Sequence, residues 1–320
     1  MRYQILSAIL ATSAISAIAA PTEEHNQVRR FDRSSFYRRV TNLEYKRDDD
    51  DDDDDDDSDS SSDPVAPSST PSWSSPSSAS TPAVTSAAVQ GSVTTKLPAS
   101  SGSSTLSAVK TIAAGETFDG GMVMYDRGVS CEGQSEGDDS DAVFEIEDGG
   151  SLSNVIIGPN QMEGVHCFGG CTLTNVWWSA VCEDAFTIKE QNDGDTTTIT
   201  GGGAFDADDK VLQHNGGGTL EVSGFYVEKF GKLYRSCGNC DDMPTRHVVM
   251  ENIYAVDGSE IAGINANYDD TATLSGITVS GVDDVCVTYE GNADGDEPSE
   301  SGSGPDGTNC KYSQSDITQA

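Results

Sequence analysis

Positively charged residues are scarce in this chain. Its 320 residues contain 18 lysines and arginines against 54 aspartates and glutamates, and the formal net charge is −36. Nucleic acids and anionic membranes both bind to basic protein surfaces, so neither is expected as a partner. The few cations are unevenly distributed, because five of the nine in residues 106–320 lie between residues 181 and 240. This concentration of cations in an acidic chain predicts a functional site.

Long apolar runs are also lacking, and after residue 20 no segment is apolar enough to cross a bilayer. A mostly apolar stretch from Ile5 to Ile15 follows Arg2, and Ala17-Ile18-Ala19 supplies a small-residue cleavage pattern. The stretch is shorter than the roughly 20 residues of a membrane-spanning helix. Residues 1–20 are therefore interpreted as a signal peptide, and a secreted, extracellular protein is expected.

The next two segments are polar, and residues 58–104 have almost no large apolar residues. Residues 21–47 end in Lys46-Arg47, which indicates either a pro-peptide cleaved after the dibasic pair or an unprocessed arm. Residues 48–105 combine ten consecutive aspartates with a Ser-, Thr- and Pro-rich stretch and predict a disordered linker. The aspartates favour a solubilising spacer over a calcium-binding segment. The folded domain is predicted at 106–290, with a C-terminal tail at 291–320.

Eight cysteines follow the predicted signal peptide. In a secreted chain an even number favours disulfides, although their pairing stays open. A redox motif at Cys237 and Cys240, and a zinc site at Cys167 and Cys171 beside His166, are less favoured alternatives because a second ligand pair at zinc spacing is missing. The cysteines are Cys131, Cys167, Cys171, Cys182, Cys237, Cys240, Cys286 and Cys310.

A short pattern recurs from residue 152 onward: an apolar residue, a small or polar one, Asn or Gly, and usually a second apolar one. Its Asn or Gly positions are 21, 26, 23, 28 and 24 residues apart. A period in the twenties without helical periodicity is typical of a β-solenoid. The pattern begins at Leu152, Leu173, Ile199, Val222, Met250 and Leu274.

Each repeat has room for short strands of three to six residues, and three strands per coil predict an all-β, single-stranded parallel β-helix. Asn and Gly between the strands suit left-handed turns. A leucine-rich horseshoe would need a Leu-x-x-Leu-x-Leu ladder, which is missing from the sequence. A β-sandwich fits the regular spacing less well.

Acidic residues accompany the cations of the central region. Glu183 and Asp184 follow Cys182, Asp209 lies one predicted coil later, and Glu163 lies one coil earlier. Equivalent positions on successive coils stack at about 4.8 Å, so these carboxylates are expected to converge on one face. A hard divalent cation, calcium first, is the natural companion of such a group. The alternative is a set of solvated turn residues in an acidic protein.

The cations add a possible reaction. Lys210 follows the acidic pair at 208–209 directly, and Lys232 and Arg235 lie on the next coil. A lysine near a bound dication and other cations is expected to have a lowered pKa and to serve as a general base. Calcium on a substrate carboxylate would stabilise an enolate-like intermediate. These parts suit proton abstraction next to a carboxylate, followed by elimination.

Several ordered blocks between residues 106 and 290 resemble polysaccharide lyase family 3, the pectate lyases of microbes that attack plant cell walls. The central blocks are Val-Cys-Glu-Asp-Ala at 181–185, Ala-Asp-Asp-Lys-Val at 207–211, Gln-His-Asn-Gly at 213–216 and Gly-Lys-Leu-Tyr-Arg-Ser-Cys-Gly-Asn-Cys at 231–240. Gly-Val-His-Cys at 164–167, Cys-Thr-Leu-Thr-Asn-Val-Trp-Trp at 171–178, Gly-Ile-Asn at 263–265 and Asn-Tyr at 267–268 are also similar. The pro-peptide and linker suggest the secreted, fungal type.

The resemblance implies a right-handed β-helix that cleaves de-esterified polygalacturonate, the backbone of plant cell-wall pectin, by calcium-dependent β-elimination. It implies a monomer and two catalytic candidates, Lys210 and Arg235. Lys189, Lys232 and Arg235 are implied to bind substrate. The implied calcium ligands are Glu163, Glu183, Asp184 and Asp209.

Two other functions are alternatives. A polygalacturonase-like hydrolase also uses a β-helix, but it relies on paired carboxylates, and the cation cluster argues against it. A non-catalytic pectin-binding or elicitor protein would keep the fold without turnover.

Overall fold

The computed structural model describes residues 92–131, 133–134 and 136–320. The predicted signal peptide, the pro-peptide and the linker up to residue 91 lie outside these residues. The chain divides into two units, Met1–Thr81 and Pro82–Ala320, and all described residues belong to the second.

The described part of the chain is built almost entirely of strands. Three one-turn 3-10 helices occur at Asp139–Asp141, Ala266–Tyr268 and Gln314–Asp316. No helix in the described ranges is long and apolar enough to cross a membrane. The strands are β1 (Ser103–Thr105), β2 (Lys110–Ile112), β3 (Thr117–Asp126), β4 (Ala142–Glu147), β5 (Ser151–Ile157), β6 (Glu163–Phe168), β7 (Thr172–Trp178), β8 (Asp184–Glu190), β9 (Thr196–Thr200), β10 (Gly203–His214), β11 (Gly218–Ser223), β12 (Tyr226–Ser236), β13 (Arg246–Asn265), β14 (Thr271–Glu290), β15 (Ser299–Ser303), β16 (Cys310–Lys311) and β17 (Ile317–Gln319).

The sequence repeat is the coil of a parallel β-helix, which confirms the predicted fold. Its leading apolar residues stack in register: Leu152 pairs with Leu173, and Leu173 pairs with Ile199. The stack continues through Val222 and Met250 to the last coil. Two further columns of strands complete each coil, and the described pairs are parallel except for β14 with β15. Each coil thus buries its apolar side chains against the coils above and below.

The Asn and Gly positions of the repeat form one corner of the solenoid. All six have positive φ, between 51° and 66°, in the left-handed region that Gly and Asn tolerate best. The Asn175 side-chain amide also donates to the Asn154 amide oxygen at 2.8 Å, which links two coils along this corner. The six residues are Asn154, Asn175, Gly201, Gly224, Asn252 and Gly276.

The predicted strand length of three to six residues is wrong for the later coils. β13 and β14 each run for 20 residues through two corners. At the second corner a single left-handed residue turns the chain, so the neighbouring residues stay paired with the next coil. The turning residues are Asp206, Lys229, Asp257 and Gly281.

In the central coils, two consecutive residues are buried within one strand, and this pair determines which neighbouring side chains face away from the core. Leu212 and Tyr234 are fully buried and stack in register, and Val211 and Leu233 beside them are fully buried too. Side chains alternate along a strand, so a buried pair leaves the residues on both sides of it facing away from the core. Each central coil thus presents two polar positions on one face.

All eight cysteines form disulfides. The pairs are Cys131–Cys182, Cys167–Cys171, Cys237–Cys240 and Cys286–Cys310. No free thiol remains in the described chain, so the zinc-site alternative has lost its thiolate ligands. Within residues 291–320, β15 pairs antiparallel with β14, while β16 and β17 extend the parallel ladder.

Candidate active site

The first polar position forms a row that crosses five coils. Asp184 pairs with Lys210, Lys210 pairs with Lys232, and Lys232 pairs with Glu260. Glu163 opens β6, one coil before Asp184, since the residues two positions further along both strands are paired. The strand ladder therefore puts acids and cations from distant parts of the sequence about one strand spacing apart.

The second polar position forms a parallel row three residues later. Gln213 pairs with Arg235, and Arg235 pairs with Gly263. The two rows border a cavity of about 370 Å³. Its lining includes Asp209, Lys210, Gln213, Lys232, Arg235 and Tyr289. The structure thus brings together three of the four cations that the sequence assigns to the site.

Lys210 is surrounded by carboxylates. Its Nζ lies 2.6 Å from Asp209 Oδ2, 3.3 Å from Glu183 Oε1 and 3.4 Å from Asp184 Oδ1. Burial alone would lower the pKa of Lys210, but the attraction of these three carboxylates outweighs it and raises the pKa. The expected fall in this pKa assumes a bound dication beside other cations, whereas the side-chain charges nearest to Lys210 are acidic.

Asp209 lies between two lysines. Its Oδ2 contacts Lys210, and its Oδ1 accepts a hydrogen bond from Lys232 Nζ at 3.0 Å. Burial would raise the pKa of Asp209, but the two ammonium groups hold it below its ordinary value. Asp209 is thus ionised and compensated by the chain itself, and it fixes the distance between Lys210 and Lys232.

Three glutamates form a compact group beside Lys210. Glu136, Glu163 and Glu183 each offer an oxygen, and these oxygens lie within 4.8 Å of one another. Glu163 and Glu183 are only 2% and 3% exposed. Burial, with the repulsion of Glu163 and Glu136, raises the pKa of Glu183 against the attraction of Lys210. Buried carboxylates this close require a counter-charge.

Asp184 borders the same group. Burial is the main reason why its pKa lies well above the ordinary value, and Glu183 and Glu163 add to the shift. Its Oδ1 has no hydrogen-bond partner among the residues described, although Lys210 lies nearby. Oxygen-only donors, excess negative charge and an orphaned buried oxygen fit a hard divalent cation such as calcium.

Sequence reasoning missed Glu136, which lies outside the predicted blocks. The Cys131–Cys182 disulfide ties the loop that carries Glu136 to the residue before Glu183. Gln134 Nε2 donates to the Cys182 carbonyl at 2.7 Å, and the Gly137 amide donates to Glu163 Oε1 at 3.1 Å. The nearby Cys131 could have pointed to this loop, but the sequence did not reveal that its disulfide partner is Cys182.

His166 supports the acidic group from behind. Its Nε2 lies 3.2 Å from Glu163 Oε2 and its Nδ1 lies 3.5 Å from Asp139 Oδ1. Burial would lower the pKa of His166, but Asp139 and Glu163 together raise it. The imidazole therefore fixes the orientation of the Glu163 carboxylate, as a residue behind a metal ligand does.

Lys189 is separated from the other predicted substrate-binding cations. Its Nζ lies 3.6 Å from Asp139 Oδ1, and it lines a second cavity of about 380 Å³. Asp148, Glu190 and Asp242 border that cavity as well. The hydrogen bond from Gln213 Nε2 to Asn215 Oδ1, at 2.9 Å, joins the linings of the two cavities.

Arg235 is the most buried cation of the main cavity, at 6% exposure. Its Nη1 donates to Asn265 Oδ1 at 3.1 Å, and its Cζ lies 4.0 Å from the centre of the Tyr289 ring. Nη2 has no hydrogen-bond partner within the described ranges. Burial lowers the pKa of Arg235, against the attraction of Glu260. Tyr289 and Glu260 are not among the site residues predicted from the sequence.

Known proteins share this arrangement of sequence and fold. A family profile described as pectate lyase matches residues 94–296. A protein from Emericella nidulans named probable pectate lyase D is 58% identical over 219 residues, which cover 68% of this chain and 82% of that protein. Pectate lyase H of the same fungus is 58% identical over 211 residues, or 65% of this chain and 80% of its own length.

Solved structures agree. The catalytic domain of pectate lyase PelI from Erwinia chrysanthemi is 34% identical, with a TM-score of 0.58 that covers 66% of this chain and 97% of that domain. PelI in complex with tetragalacturonic acid is also 34% identical, with a TM-score of 0.55 over 66% of this chain and 70% of its own. This chain belongs to the pectate lyase family and is a polysaccharide lyase.

Proposed function

We propose that this protein is a secreted, calcium-dependent pectate lyase that cleaves de-esterified polygalacturonate and releases unsaturated oligogalacturonides. One observation carries the proposal: Lys210, Lys232 and Arg235 line a single cavity beside a group of three carboxylates, two of which are buried. Cations in a strongly acidic protein suit a polyanionic substrate, and a cluster of acidic oxygens suits calcium.

Substrate binding falls to the cations of the two rows. Lys232 and Arg235 lie three residues apart on one coil, and both side chains border the cavity. Uronate carboxylates of neighbouring sugars would bind to these two cations. Lys189, beside the second cavity, would contact a sugar further along the polymer. The complex of PelI with tetragalacturonic acid supports this class of substrate.

Glu163 and Glu183 are the central candidates for calcium ligands, with Glu136 as a third. Asp184 and Asp209 adjoin them through Lys210. When bound, calcium would supply positive charge beside a substrate carboxylate and stabilise the anion formed on loss of the neighbouring proton. His166 would keep the Glu163 carboxylate in place.

In the reaction, the C5–H bond breaks and its proton passes to a base. The electron pair forms the C4–C5 double bond, the C4–O bond breaks, and the leaving oxygen takes up a proton. Arg235 and Lys210 are the two candidate bases. Among the described residues Arg235 makes one side-chain hydrogen bond, to Asn265, whereas Lys210 must leave at least one of its three carboxylates to accept a proton.

Secretion is part of the proposal and depends on residues 1–20, with their apolar stretch and cleavage pattern. Four disulfides in the described chain agree with an oxidising compartment. Mass spectrometry of the protein from the culture medium of a secreting host should show a chain that lacks at least these 20 residues. A cell-retained protein that keeps them would contradict secretion.

The lyase proposal is tested with purified protein and polygalacturonate. Wild type is expected to release UV-absorbing unsaturated products, a chelator to abolish the release, and added calcium to restore it. Lys210→Ala is expected to lose turnover, whereas Lys229→Ala should keep it. Lys229 is the matched control because its side chain is 61% exposed and, within the described ranges, its ion pair is with Asp206, at 3.2 Å, outside the cavity.

Two results would overturn the proposal. Chain cleavage without an unsaturated product would support a hydrolase. Pectin affinity without turnover in wild type would support a binding protein.

A further inference from the structure

The guanidinium of Arg235 has protein contacts on one face and one edge, but the other edge has no hydrogen-bond partner in the described structure. The Tyr289 ring covers the guanidinium at 4.0 Å, and Asn265 accepts from Nη1 at 3.1 Å. Nη2 has no partner in the described chain, and Arg235 and Tyr289 both line the main cavity. The orientation of the guanidinium therefore depends on what fixes the Tyr289 ring.

Glu260 fixes that ring. The Tyr289 hydroxyl donates to Glu260 Oε2 at 2.7 Å. Glu260 is 5% exposed, and its Oε1 has no partner among the described residues. It does not line the cavity with Arg235 and Tyr289, so it acts on the site through Tyr289. A buried carboxylate with one free oxygen is ready to take up another cation.

Gly263 keeps Glu260 and Arg235 close together without a bond between them. A Cβ at Gly263 would lie 2.1 Å from Glu260 Oε1 and 3.0 Å from Arg235 Cδ. Only glycine fits between the two side chains in this arrangement. Glu260 and Arg235 are thus buried side by side with opposite charges, and each has one atom without a hydrogen-bond partner in the described structure. Tyr289 contacts both, Arg235 with its ring and Glu260 with its hydroxyl.

We propose that Glu260 and Tyr289 are a positioning pair for Arg235: the tyrosine hydroxyl donates to one oxygen of the Glu260 carboxylate, and the ring holds the guanidinium in the wall of the cavity. The proposal deepens the lyase function and rests on it. Without the hydroxyl, both Glu260 oxygens are free to pair with Arg235 and to draw its guanidinium out of the cavity wall.

This arrangement predicts an unusual pattern of rescue. Tyr289→Phe keeps the ring but releases Glu260, and a misplaced guanidinium is expected to lower kcat/KM on the order of 10- to 100-fold. Glu260→Gln alone keeps an acceptor for the hydroxyl and should have a smaller effect. The double variant Tyr289→Phe/Glu260→Gln has no carboxylate to capture Arg235, so it should recover most of the lost kcat/KM.

Tyr226→Phe is the matched control. The Tyr226 hydroxyl also donates to a glutamate, Glu228, at 2.7 Å, but neither residue lines the cavity. This variant should keep the kcat/KM of wild type. All four variants should fold, because each keeps the volume of the side chain it replaces and each tyrosine replacement removes one hydrogen bond.

The kinetic test uses polygalacturonate with calcium present. Recovery in the double variant supports the positioning pair. A Tyr289→Phe protein as active as Tyr226→Phe overturns it, and so does a double variant no better than Tyr289→Phe. A purely structural role would instead lower melting temperatures and kcat/KM together, without recovery in the double variant.

A second measurement separates this proposal from the lyase function. Nuclear magnetic resonance of arginine-labelled protein reports the Nε–H resonance of Arg235, assigned by its loss in Arg235→Lys. Tyr289→Phe should shift this resonance, and the double variant should return it toward the wild-type position. If wild type makes no unsaturated product, the lyase function fails and the resonance alone decides: no shift in Tyr289→Phe overturns the positioning pair.

Discussion

Two buried arginines separate the structural part of this molecule from its reactive part. Arg246 is fully buried, and all three guanidinium nitrogens donate to backbone carbonyls. Arg235, one coil earlier, is nearly as buried but has one protein hydrogen bond and a free nitrogen in the described structure. The Arg246 acceptors are the carbonyls of Asn215, Gly216, Cys237 and Asp242.

The difference shows what each region is for. Arg246 joins the turn after β10 to the loop that follows β12, so its guanidinium donors are used to hold the backbone. A buried cation with an open donor destabilises a fold unless a ligand compensates it. The two regions connect through Asp270, which accepts from the Arg246 amide at 2.8 Å and from Asn265 Nδ2 at 3.2 Å. The structural arginine thus supports the partner of the reactive one.

Replacement of Arg235 should have the largest effect, and it should be on turnover. Arg235→Met is expected to lower kcat/KM on polygalacturonate by about 1,000-fold, the scale for loss of a preorganised charge at a reacting centre. The free energy of unfolding should stay the same or rise, because a buried charge with an unused donor is removed. Initial rates and urea unfolding of one preparation check both. A large loss of stability would contradict the comparison.

Arg246→Met should show the reverse pattern. It leaves several buried carbonyls without donors, and unfilled buried acceptors cost about 1–3 kcal/mol each. The free energy of unfolding should therefore fall by about 3 kcal/mol or more, with a lower urea midpoint. Turnover per folded molecule should fall far less than in Arg235→Met. Wild-type stability in this variant would show that the carbonyl contacts contribute little.

Glu136→Gln tests the acidic group without a turnover assay. Loss of one of three clustered carboxylates should weaken calcium binding on the order of tenfold or more. A ligand raises the melting temperature according to its affinity, so the calcium-induced rise should shrink in this variant. Glu221→Gln, an exposed change on β11, is the control. Equal calcium responses in both variants would remove Glu136 from the site.

At neutral pH the smallest effect concerns His214, beside the Arg246 region, because it appears only when the solution is acidified. Burial is the main cause that lowers the pKa of His214 from 6.5 to about 3, so the folded protein keeps it neutral. Below pH 6.5 the unfolded chain takes up a proton that the folded state refuses. This contribution is therefore complete above about pH 6.5 and falls by about 1.4 kcal/mol per pH unit toward pH 3.

Urea unfolding at several pH values measures this dependence. His214→Gln should flatten the curve by about one proton over that range. Unchanged slopes would contradict the neutral, buried state of His214.

Much of the fold was predictable because its signals are local. Leu152 and Leu173 each precede an Asn that turns the chain, and the repeated order of apolar residue and turn residue specifies which positions stack. The row of Asp184, Lys210 and Lys232 follows from that stacking. Strand length was not predictable, because a single left-handed residue such as Asp257 can turn the chain without ending the ladder.

The remaining site residues depend on contacts that spacing does not encode. Glu136 reaches the acidic group through the Cys131–Cys182 disulfide, and eight cysteines left the pairing open. Glu260 precedes the resembling block at 263–265, but its hydrogen bond to Tyr289 crosses to the next coil. Such contacts become visible only when side chains are placed in three dimensions.

The central claim is that residues of this cavity cleave the polymer by proton removal and elimination rather than by addition of water. Mass spectrometry of the oligomers that wild type makes from polygalacturonate in heavy-oxygen water tests it directly. Elimination predicts that the unsaturated new end carries no solvent oxygen and that this fragment is one water lighter than its hydrolytic counterpart. Two saturated fragments from each break, with one water added to their summed mass, would show hydrolysis and contradict the claim.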